Sequence, residues 1–127
     1  MAINFNEFEQ TMQQQFKVYY SQMGNAPITL DDLYDKIETV ELSFRLDKNF
    51  QEIGNNDTQV ISNEGMEFNK MSEEAKLNAR EKCKSLDHGK PLTITERGMF
   101  VKAYLNEMKD LIEMHNLTYG VKANHKL

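Results

Sequence analysis

Residues 93–116 read TITERGMFVKAYLNEMKDLIEMHN. Thr93 and Glu96 stand three apart, just before an apolar run. That is the spacing of a capping box, in which the hydroxyl accepts an amide proton at N3 and the carboxylate reaches back to the cap amide. Apolar residues then recur at Ile94, Val101, Leu105, Met108, Ile112 and His115, and Phe100, Tyr104 and Leu111 widen the stripe. A stripe of that width suits a helix packed in a globular core better than a narrow two-stranded seam. The other elements are expected to pack against this helix.

Working outward, Phe5, Phe8, Met12, Phe16, Tyr19 and Met23 share one helical face, predicting a helix over 4–23. Gly24-Asn25 tolerates a left-handed C-terminal position, and Pro27 prevents continuation. Thr29 and Asp32 form a second, weaker cap pair before Leu30, Leu33, Ile37, Val40 and Phe44, which repeat with heptad spacing. The alternation of Val40, Leu42, Phe44 and Leu46 competes as a strand pattern. Helix is preferred over about 30–45, because the heptad starts at a cap and meets no breaker, and Leu46, Phe50 and Ile53 offer a continuation toward the Gly54–Asp57 loop. Gln59–Ser62 and Met66–Asn69, flanking Asn63-Glu64-Gly65, read as a small β-hairpin near 58–69 or an ordered loop. A third helix is expected over 72–86, with Ser72 as its cap and a thin apolar edge at Ala75, Leu77, Ala79, Cys83 and Leu86. That places it at the periphery. Asp87–Pro91 forms the turn into the last helix.

The expected architecture is a mainly α, single-domain four-helix arrangement, with helices at 4–23, 30–50, 72–86 and 94–116. An α+β fold is the alternative if the hairpin forms. The domain spans 1–120, and residues 121–127 form a polar, frayed tail.

Composition narrows the function classes. The chain has 127 residues and one cysteine, so it holds no internal disulfide. MAINFNEFEQ lacks a basic region followed by an apolar run, and no apolar stretch approaches the roughly 20 residues of a membrane span. A cytoplasmic protein without a membrane role is expected. The net charge of −5 hides an asymmetry. Residues 1–69 hold four basic and twelve acidic side chains, a net of −8; residues 70–127 hold eleven and eight, a net of +3. Such polarity arises by chance, from an electrostatic match between the halves, or from two faces for different partners.

Catalytic candidates are few. Cys83 and His88 are the Cys/His pair closest in sequence, and Lys82 and Lys84 beside the cysteine would favour a thiolate. The plainer reading is a small residue on a buried helix edge and a histidine in a turn. One Cys and three scattered His residues (His88, His115, His125) do not make a zinc set. The Asp and Asn residues between 47 and 57 do not fit a calcium loop, and no phosphate-binding glycine loop is present. No catalytic residue, metal or cofactor is therefore assigned.

Two charged stripes remain. Asp31, Asp35 and Glu38, with Glu41 beside them, line one side of the second helix and are expected to meet a basic partner. Lys76, Arg80 and Lys84 stand four apart on the third helix, and such a stripe can contact phosphates. The expected function is a small non-enzymatic interaction protein that binds a protein partner, or a second copy, through these faces. A regulator or inhibitor encoded by a phage or mobile element fits that description. The alternative is an accessory nucleic-acid-binding protein using the basic stripe, and an enzyme with a reactive Cys83 is the third reading.

Overall fold

The computed structural model describes residues 3–47 and 63–117. Four α-helices follow one another: α1 (Phe5–Met23), α2 (Leu30–Asp47), α3 (Asn63–Lys82) and α4 (Ile94–His115). A single 3-10 turn, Lys84–Leu86, follows α3. There is no strand among the described residues, and the fold is the mainly α arrangement expected from the periodicities.

The helix starts are set by local chemistry. Thr93 Oγ1 accepts from the Glu96 amide at 3.1 Å, and Glu96 Oε1 accepts from the Thr93 amide at 2.9 Å. The same reciprocal pair opens α2, where Asp32 Oδ2 accepts from Thr29 N and Thr29 Oγ1 accepts from Asp32 N. Asn4 caps α1 by accepting from the Glu7 amide. At its far end, Gly24 takes φ +59°, a left-handed conformation that costs a glycine nothing. The loops after α1 and before α4 are stitched together by Leu92 N donating to Ile28 O at 2.7 Å.

Each helix contributes one ring to the centre of the core. Phe8 of α1 meets Phe44 of α2 and Phe68 of α3 edge-on, both at 5.1 Å between centroids, and Tyr104 of α4 at 6.4 Å. Edge-to-face packing is the favoured aromatic geometry. The chain ends are tied as well. Ile3 N donates to Asn116 Oδ1, and Asn116 Nδ2 donates to Ile3 O, both at 2.8 Å. This clamp fixes the start of α1 to the end of α4.

Four expectations are corrected. The second half of the expected hairpin, Asn63–Asn69, is the beginning of α3, while residues 58–62 lie outside the described residues. The reason is visible in the burial: Phe68, Met71, Ala75 and Ala79 are all buried at spacings of three and four, one continuous helical stripe. Ser72 is consequently not a cap. It sits inside α3, buried, with its hydroxyl 2.8 Å from that of Tyr104. Nor is α3 peripheral: it packs more closely on α4 than any other helix does, because its alanines allow close approach. Finally, Ile94 is 81 % exposed, and the buried line of α4 runs through Phe100, Tyr104, Leu105, Met108, Ile112 and His115. The strand alternative for 40–46 is replaced by helix, with Val40 and Phe44 inside and Leu42 outside. The expected extension of α2 over 48–50 and the frayed tail at 121–127 lie outside the described residues.

Candidate functional site

The two charged stripes face each other across the α2–α3 contact. Arg80 of α3 pairs with Asp31 of α2 at 3.1 Å and also holds Asp87 at 3.1 Å. Lys76 of α3 pairs with Glu38 of α2 at 3.3 Å and with Glu73 at 3.1 Å. Between these pairs the ring of Tyr34 lies beneath both cations, 4.9 Å from Lys76 Nζ and 5.1 Å from the Arg80 guanidinium carbon.

Burial divides the stripes further. Lys76 is only 1 % exposed and Glu41 only 2 %. Arg45 Nε lies 3.0 Å from Glu41 Oε2, yet neither atom makes an aligned hydrogen bond, so charge rather than direction joins them. Burial pushes the Glu41 carboxyl above its ordinary range, against the pull of Arg45 and Lys76. Lys84 lies not on α3 but in the 3-10 turn that follows it, exposed, and pairs with Glu81 in the last turn of α3. Asp35 is exposed, and its backbone carbonyl accepts from the Thr39 hydroxyl. Of the seven stripe residues, the fold therefore joins Asp31 to Arg80 and Glu38 to Lys76, buries Glu41, and leaves Asp35 and Lys84 on the surface.

Cys83 is buried at the end of α3, and desolvation raises its thiol pKa, with Lys82 opposing. His88 is occupied: its Nδ1 accepts from the Lys90 amide and its Nε2 is 3.5 Å from Glu96 Oε2. Lys82 itself pairs with Glu107 of α4. Among the described residues no group of three or more His, Cys, Asp and Glu is placed to hold a metal ion, and no helix is long and apolar enough to cross a membrane.

A different feature stands open. Between α1 and α4 lies a groove of about 540 Å³. Phe16, Tyr20, Val101 and Leu105 give it an apolar floor, and Glu9, Gln13, Lys17, Lys102 and Asn106 rim it. The two helices are held at both ends: by the Ile3–Asn116 clamp at one, and by the Arg97 guanidinium 5.5 Å over the Tyr20 ring at the other. Burial pushes the Tyr20 phenol up to about 12, so it remains a neutral donor. Gly98 leaves a gap in the α4 wall, since a Cβ built there meets nothing within 4 Å.

The described cations divide by partner. Arg45, Lys76, Arg80, Lys82 and Lys84 face carboxylates, and Lys36 and Arg97 lie over rings. Lys17, Lys70, Lys90, Lys102 and Lys109 have neither kind of partner among the described residues, and of these Lys17 and Lys102 line the groove. The sequence carried a signal for this that the stripe pattern obscured. Residues 13, 14, 20 and 21 around Lys17 are Gln, Gln, Tyr and Ser, and residues 98, 99, 105 and 106 around Lys102 are Gly, Met, Leu and Asn. Neither lysine thus has an acid one helical turn away on its own helix. Compared with protein-family models, with characterised proteins and with solved structures, the chain finds no match.

Proposed function

We propose that this chain is a small non-enzymatic protein that acts by binding a protein partner in the groove between α1 and α4, as a regulator or inhibitor rather than as a catalyst. The groove carries this reading: it combines an apolar floor with charged side chains that have no partner among the described residues. Large apolar grooves with a polar rim are where macromolecular partners dock. The charged faces of α2 and α3 suit a partner less well, because their carboxylates and cations already serve one another. The buried, protonated thiol of Cys83 supports a role without covalent catalysis.

Parallel affinity captures from a lysate test the reading. One uses the unaltered chain, one Gly98→Leu, which fills the groove, and one Asp31→Lys/Asp35→Lys/Glu38→Lys. The groove variant is expected to lose a protein that the unaltered chain retains. Retention by Gly98→Leu with loss in the acidic-face variant would return the site to α2. Salt-sensitive co-purification of nucleic acid, abolished by changing Lys84 and Arg80, would favour the phosphate-binding alternative.

A further inference from the structure

We infer that the occupant of the α1–α4 groove is an acidic amphipathic helix from a protein partner, its apolar side chains on the floor and its carboxylates over Lys17 and Lys102. This rests on the reading of the groove as the partner surface.

The dimensions fit a helix. The lining residues span Glu9 to Tyr20 on α1 and Gly98 to Asn106 on α4. At 1.5 Å per residue those segments are about 16 and 12 Å long, room for two to three helical turns. A helix laid between two antiparallel helices presents apolar anchors at i, i+3 or i+4, and i+7. Phe16, Tyr20, Val101 and Leu105 are spread along the floor to receive them. Gly98 lets the backbone of an incoming helix come close where any other side chain would stand.

The charges specify the sign. Lys17 and Lys102 rim the groove from opposite walls, and neither is neutralised among the described residues. Carboxylates flanking the anchors would meet both. Glu9 sits at the other end of the same groove and leaves that end unsuited to an acid. The acids therefore belong over the Lys17–Lys102 half.

Among the described residues the chain supplies no such helix. The exposed large apolar residues among those described, Val18, Leu42, Leu77, Ile94, Met99, Met114 and Leu117, are scattered over the four helices and the end of α4 and form no anchor stripe for a second copy to insert. The sequence beyond Leu117 carries Lys122, His125 and Lys126 and no acidic side chain, so its charge repeats that of the rim.

The test uses the full chain and a capped synthetic peptide of about 16 residues, long enough for four turns. The peptide has Leu at i, i+3 and i+7 with Glu on either side. Two controls accompany it: one with the leucines scattered around the helix, one with Lys replacing Glu. Titration calorimetry at low and moderate salt is expected to show one-to-one binding of the Glu-flanked peptide, weakened by salt, and none of the scattered control. Lys17→Glu with Lys102→Glu should lower the affinity roughly tenfold or more. Gly98→Leu should abolish binding while the thermal midpoint is unchanged or raised, since leucine is the better helix former.

Equal or tighter binding of the Lys-flanked peptide, still lost in Gly98→Leu, would overturn the acidic occupant and leave the groove as the partner surface. Peptide binding indifferent to Gly98→Leu would overturn the groove itself. Concentration-dependent dimerisation of the chain alone, lost in Gly98→Leu, would assign the groove to a second copy and overturn the inference.

Discussion

Glu41 places a carboxylate deep in the α2–α3 contact, where Arg45 and Lys76 offset only part of its desolvation. Its folded pKa lies above the ordinary carboxylate value, so the folded state keeps this proton to higher pH than the unfolded chain does. While both states are protonated, Glu41 costs nothing. The cost develops as pH rises from the ordinary value through the raised one. Thermal melts of Glu41→Gln and the unaltered chain between about pH 4 and 7 should show the variant gaining stability relative to the parent as pH rises. A variant that loses ground with rising pH would mean that the ion pairs outweigh the burial. The Ser72–Tyr104 bond is a second test at this scale. Tyr104 is fully buried, and its hydroxyl meets that of Ser72 at 2.8 Å. Tyr104→Phe should cost about 1–2 kcal/mol by stranding the serine hydroxyl, and adding Ser72→Ala should restore part of the loss. Chemical denaturation of the two variants reads both values.

At the scale of elements, the α2–α3 seam is an antiparallel ladder of Asp31–Arg80 and Glu38–Lys76 around Tyr34. Arg80→Glu would set a carboxylate against both Asp31 and Asp87, and should destabilise the fold by about 1 kcal/mol, since exposed pairs contribute about 0.2–1 kcal/mol each. Asp31→Lys combined with Arg80→Glu should recover part of that loss, a coupling that equilibrium unfolding of the two single variants and the double variant measures directly. What was legible in the sequence follows from range. Thr93 with Glu96, Thr29 with Asp32, and Gly24 act within one turn, so the chain text contains everything they need. The start of α3 was obscured because Met66–Asn69 alternates over only four residues, too few to separate a strand from a helix. Its buried stripe ends in alanines, which look thin as a hydrophobic face but let two helices approach closely. Lys76 escaped for a different reason. Its spacing from Arg80 and Lys84 marks a common face, but only the tertiary arrangement shows that Tyr34 and Glu38 cover it. The opposite charges of the two halves were open to reading as an internal match, and the ladder shows that match at two positions.

For the molecule as a whole, the pairing of the stripes shifts attention from the charged faces to the unfilled space. Phe8 meets a ring from every other helix, and the ladder joins α2 to α3. The α1–α4 contact is held at its ends and by Phe8 against Tyr104 on its buried side, and its outer side is an open groove. That groove could not be read from sequence, because it depends on how far apart two helices stand rather than on the pattern of either. Its lysines were visible only as cations without an acid one turn away. The decisive observation is an amide chemical-shift map of the isotopically labelled full chain during titration with the Glu-flanked peptide. Shift changes are predicted at Gln13, Lys17, Tyr20, Gly98, Val101 and Lys102, with Asp31, Glu38, Lys76 and Arg80 unmoved. Changes concentrated on α2 and α3, or none at saturating peptide, would contradict the groove as the binding surface.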